Sequence, residues 1–173
     1  MKKIFLFMGL MAFGLSLFVR PAQAAELKVG YLDVAKSFDE YKKTKEADTA
    51  LESQAKVKQA ERDKLVSEIT RLRDELELLS EKGKQDKQVV IDEKVKKLQE
   101  FDKTTRGELQ KQRDAVVGDI LKEIDKVVQD YGKKEGFDLI LNDKVIVYKK
   151  DTLNVTDSVL KALNAQYGGG KKQ

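Results

Sequence analysis

The 173-residue chain has no cysteine, no histidine, no tryptophan and one proline, Pro21. Without cysteine it forms no disulfide and has no thiol nucleophile. Without histidine it lacks the commonest general base and a common metal ligand. No GxxxxGK[ST] loop is present, so nothing supports ATP-driven action. Carboxylates such as Asp74, Glu75 and Glu77 are abundant, but they decorate helical surfaces among lysines and arginines. The expectation is therefore no enzyme, with no catalytic, cofactor-binding or metal residue to name. Aromatics are scarce between Lys43 and Tyr131, where only Phe101 and Tyr131 occur. That is too few for base stacking, and no specific nucleic-acid partner is expected.

Charge of one sign is also missing. Lysine and arginine number 34 against 30 acids, and Lys2, Lys3 and Arg20 lie in the N-terminal segment, leaving 31 against 30. A near-neutral chain has no strong global field. The one long apolar run, Ile4–Val19, follows Lys2-Lys3 and precedes Ala22-Gln23-Ala24. It is shorter than the ~20 residues of a membrane span and reads as a signal peptide over 1–24, cleaved after Ala24. Export to the periplasm follows from that reading.

What the chain does have is a long uninterrupted helical pattern. No glycine falls between Tyr31 and Lys82. Leu65, Ile69, Leu72 and Leu76, with Leu79, repeat every four or three residues, the 3.5-residue seam of a coiled coil. Ile91, Val95 and Leu98 repeat it on the way back, and Leu109, Val116, Ile120, Ile124 and Val127 continue it with gaps. If residue i faces residue 167 − i, Leu76 meets Ile91 and Leu72 meets Val95. The spacing predicts an antiparallel helical hairpin over 43–131, roughly 50 Å long, with its tip at 80–87 and Gly83 at the bend. Lys58 and Arg62 face Asp102, Thr105 and Gln112 in a polar waist, where Gly107 is opposite Ala60. A flexing point is expected there, against the simpler reading that Gly107 lets the helices approach closely.

The rest is a small α+β body, from 25–42 and 132–167. Leu27–Val34 reads as a strand and Ser37–Tyr41 as a helical turn. Phe137–Leu141 and Val145–Tyr148 read as two further strands joined by an Asn142-Asp143 hairpin turn. Thr156 is placed as the cap of a last helix, and 168–173 as a disordered tail. Val29, Tyr31, Leu139, Leu141, Val145 and Val147 are the expected body strand residues. A body this small is marginal alone, so pairing strands between subunits is expected.

The order of KVGYLDVAKSFDEY, long charged hairpin, FDLILNDKVIVYKK and NVTDSVLKALN resembles the Skp/OmpH family of periplasmic chaperones over the whole chain after the signal. The resemblance implies a jellyfish-like homotrimer with a β-strand trimerisation body and three coiled-coil tentacles around a cavity. It implies an ATP-independent holdase that keeps unfolded outer-membrane β-barrel proteins from aggregating. A coiled-coil structural or scaffold protein of the cell envelope shares every arm feature and is the alternative.

Two arm features are candidates for contact with partners. Val57, Val66, Leu78, Val89 and Phe101 are apolar and off the seam, and would give a weak, distributed lining for unfolded chains. Lys82, Lys84 and Lys87 make the tip locally basic, suited to anionic lipid or lipopolysaccharide, or alternatively a solvated loop.

Overall fold

The structure, a computed structural model, describes residues 26–170. The expected signal peptide and Lys171–Gln173 lie outside the described residues. The elements in order are β1 (Val29–Leu32), α1 (Val34–Glu40), α2 (Lys42–Leu76), α3 (Glu81–Glu135), β2 (Leu139–Asn142) and α4 (Thr156–Gly170), with 3-10 turns at Asp143–Val145 and Asp151–Leu153. Among the described residues no helix is long and apolar enough to cross a membrane.

Asp33 starts α1. Its carboxylate accepts the Lys36 N–H at 2.8 Å, while the Ser37 hydroxyl donates to its carbonyl. The helix stops at Tyr41, a single extended residue with ψ 129°, and α2 begins at once. That residue is the joint between body and arm on the outgoing side. On the return there is no joint. The 55 residues of α3, about 80 Å at helical rise, run unbroken from the tip into the core. Gly136 ends it in the left-handed region with φ 71°, and Gly132 accepts the Phe137 N–H at 2.9 Å. Lys133 and Lys134 occupy the negative end.

β1 and β2 form a two-stranded parallel sheet in the register Val29–Leu139 to Leu32–Asn142. A bridge from Tyr31 to Asn154 covers the other edge of β1. The core gathers where α3 enters the body: Leu32, Tyr41, Ile120, Ile124, Val127, Val155, Val159 and Leu163. Gly30 is required here, since a Cβ on it would lie 2.9 Å from the Phe137 ring.

Five expectations need correction. First, the arm's turn is Glu77–Ser80, and Gly83 lies in the first helical turn of α3. Ser80 followed by Glu81 is the signal for that helix start, and it outranks the glycine. Second, Val145–Tyr148 is not a strand, and the hairpin at Asn142-Asp143 is absent. The Asn142 side chain instead accepts the Lys144 N–H. β-branched residues there reflect a strand tendency that no neighbouring strand in this chain satisfies. Third, Thr156 does not cap α4. Its hydroxyl accepts the Asp33 N–H, and Asn154 accepts the Thr156 N–H at 2.9 Å. Fourth, Gly168–Gly170 continue α4 rather than beginning a disordered tail. Fifth, the hairpin register departs from 167. The cross-arm ion pairs Lys43–Glu123, Arg62–Asp102, Glu68–Lys94 and Glu75–Lys87 total 166, 164, 162 and 162. A turn that comes earlier than expected pulls the outer pairs toward lower totals.

Candidate functional site

The arm's cross-section follows from its seam. Ile69, Leu72 and Ile91 are buried, and Leu65, Leu76, Val95 and Leu98 are half-buried between the helices. Two helices alone can close only this thin line. Charged side chains then bridge the flanks. Lys87 reaches Glu75, Lys94 reaches Glu68 at 2.7 Å, and Arg62 reaches Asp102 at 3.0 Å. Hydrogen bonds from Lys94 and Lys87 hold the Glu68 and Glu75 carboxyls below their usual range.

The waist is polar, as the sequence indicated. Lys58, Arg62, Asp102 and Thr105 line an open groove of about 370 Å³ together with Phe101 and Leu109. Phe101 is half-buried there, 5.7 Å beneath the Lys58 ammonium, rather than projecting outward. Gln112 is exposed, outside the seam. Gly107 and Ala60 are both exposed, so they do not face each other. A Cβ at Gly107 would meet nothing within 4 Å, so close helix approach does not explain that glycine.

The remaining off-seam apolar residues separate. Val57, Leu78 and Val89 are exposed, Leu78 at 87%, while Val66 is half-buried. Leu79 and Val90 add exposed apolar area near the tip, although Leu79 was assigned to the seam. The three tip lysines also differ. Lys84 pairs with Glu81 at 3.1 Å and Lys87 with Glu75, whereas Lys82 is exposed with no acid partner among the described residues.

The arm's root has a different construction. Tyr41, 0% exposed, donates its hydroxyl to Glu123 at 2.8 Å, and Lys43 donates to the other oxygen. Burial pushes the Glu123 carboxyl up, but the bonds from Lys43 and Tyr41 outweigh it and hold the group below its usual range. Burial first, then the bond to Glu123, pushes the Tyr41 phenol well above its usual range. Sequence reasoning missed this cluster. The 167 rule places Lys43 one residue from Glu123, so the register could have found that pair.

The body carries an open apolar face. Leu32, Val34, Leu121, Ile124, Val128 and Ile140 line a groove of about 210 Å³. Beyond it Leu139, Val145, Val147 and Tyr148 are exposed, Val145 at 71%. Of the expected strand residues, Tyr31 is buried and Val29 and Leu141 are half-buried.

The sequence profile of the family described as Outer membrane protein (OmpH-like) matches residues 28–163. No curated protein matches significantly. Among solved structures, an OmpH-like outer membrane chaperone candidate from Caulobacter crescentus aligns with TM-score 0.76 and 14% identity, covering 82% of this chain and 86% of that one. That likeness supports the α+β fold, a small sheet carrying long helices. With the family profile spanning most of the sequence, from the first strand to the last helix, the chain belongs to the OmpH-like (Skp/OmpH) family.

Proposed function

We propose that this protein is an ATP-independent periplasmic holdase, which binds unfolded outer-membrane proteins in a cavity between helical arms and keeps them from aggregating. The observation that carries the reading is the arm itself: a long hairpin with a thin closed seam and scattered exposed apolar side chains, Val57, Leu78 and Val89. Many weak contacts on tethered arms gain avidity without demanding one client sequence. A dense apolar lining would self-associate instead.

The body supports an oligomer. The open edge of β2, the apolar groove beside it and the fully exposed Val147 are features that a compact monomer avoids. A homotrimer, with Val145–Tyr148 paired between subunits, would cover them. For the tip, contact with anionic lipid or lipopolysaccharide, the alternative to a solvated loop, would narrow to Lys82, since Lys84 and Lys87 have acidic partners.

The test is dilution of a urea-unfolded outer-membrane β-barrel protein into the purified chaperone. Light scattering should be suppressed at one oligomer per client, without nucleotide. An envelope scaffold would leave the aggregation unchanged, and that result would overturn the proposal.

A further inference from the structure

The end of α4 touches the arm at its joint. α2 starts with no capping side chain of its own, because Tyr41 at the cap position has none to offer. The missing cap comes from a residue 122 positions away: the Asn164 carboxamide oxygen accepts the Lys42 N–H at 3.0 Å. One helical turn later, the Tyr167 hydroxyl donates to Glu46 at 2.8 Å. The Tyr167 ring also packs edge-on against Tyr41, with centroids 5.8 Å apart and planes at 71°. Tyr41 in turn reaches Glu123 on α3. One line of contacts therefore runs from α4 through the start of α2 to α3.

The two sides of the arm need this differently. α3 enters the core as one continuous helix and needs no further anchor. α2 is attached through the single extended residue Tyr41, so its direction is set by what holds its first turns. The family profile ends at residue 163, immediately before Asn164. The α4 half of the clasp, Asn164 and Tyr167, thus lies beyond the matched span.

We propose that Asn164 and Tyr167 are positioning residues: they clasp the first turns of α2 and so fix the arm's angle on the body, and with it the width of the space open to a client. The clasp itself needs only the contacts above, while its consequence for clients rests on the holdase reading.

The experiment compares the full chain with Asn164→Ala, Tyr167→Phe and Asn164→Asp by hydrogen exchange and by client retention. In the Ala and Phe variants, amides in the first three turns of α2 should exchange about fivefold faster, the scale of a lost helix cap. Those around Ile120–Val127 should not change. Asn164→Asp, which can still accept the Lys42 N–H, should restore protection. The Ala and Phe variants should also hold large clients less completely than small ones. Unchanged exchange at the start of α2 would overturn the clasp. Equal acceleration at Ile120–Val127 would overturn it too, since the contacts would then be general body packing. Faster exchange with client retention unchanged at every size would overturn the link to cavity width. Failure of the unaltered protein to retain any client would sink the holdase reading and leave the clasp intact.

Discussion

The root and the waist of the arm use the same two helices and hold them in opposite ways. At the root, Ile120, Ile124 and Val127 are buried in one cluster with Tyr41, Val159 and Leu163. The ion pair there, Lys43–Glu123, is backed by a buried tyrosine hydroxyl. At the waist no side chain is buried, and Arg62–Asp102 borders an open groove. Further out, Ile69, Leu72 and Ile91 close the seam again. The arm is thus fastened at its base and its outer half and slack between. Apolar burial fixes geometry, whereas partly exposed ion pairs contribute little to it.

The contrast can be broken most strongly at the core. Ile124→Ala should cost about 3–4 kcal/mol, because its side chain is buried in the core cluster and its removal leaves a cavity beside the apolar groove. Leu109→Ala at the half-buried waist should cost about 1 kcal/mol, by area removed from water. Urea unfolding of both variants checks the ordering. Glycine substitutions give a second pair. Gly30→Ala should destabilise by about 1–3 kcal/mol through overlap with the Phe137 ring. Gly107→Ala, with open space around it and a helical backbone, should stabilise by about 0.5–1 kcal/mol. The same change should slow hydrogen exchange over 100–112. Faster exchange there would remove the idea of a slack waist.

Smaller effects sharpen the root. The Thr44 hydroxyl is buried without a hydrogen-bond partner among the described residues. Thr44→Val should therefore raise stability by about 1 kcal/mol in thermal unfolding. Acid supplies the last probe. The Glu123, Glu68 and Glu75 carboxyls all sit below their usual range in the folded chain. Their stabilising contribution is present above the unfolded value of about 4.3 and is lost as pH falls through the lowered folded values. Glu123→Gln should flatten the stability-against-pH curve below about pH 4.5 more than Glu68→Gln, because only Glu123 is linked to a buried partner.

Sequence pattern revealed the long elements better than their ends. The 3.5-residue spacing at Ile69 and Leu72 identified the seam because burial selects apolar residues at that period. The turn was displaced because Gly83 drew the assignment, although Ser80-Glu81 is a helix-start pattern and Ser80 takes the extended cap position, without a side-chain cap bond. Val145–Tyr148 read as a strand from β-branched residues, but the 3-10 turn at Asp143–Val145 follows β2 directly and the segment does not pair with the open edge of that strand. The triple glycine 168–170 read as disorder, yet it extends a helix already nucleated by Val159 and Leu163 in the core. Asn164 at Lys42 was illegible, since no local pattern links residues 122 apart. Among the arm candidates, exposure kept Val57, Leu78 and Val89 available and drew Phe101 into the waist groove.

Native mass spectrometry of the purified protein with one unfolded outer-membrane β-barrel client tests the central claim most directly. The account predicts a complex of three chains and one client, with the client lost when the arms are removed. A folded monomer, or a trimer that never carries a client mass, would contradict it.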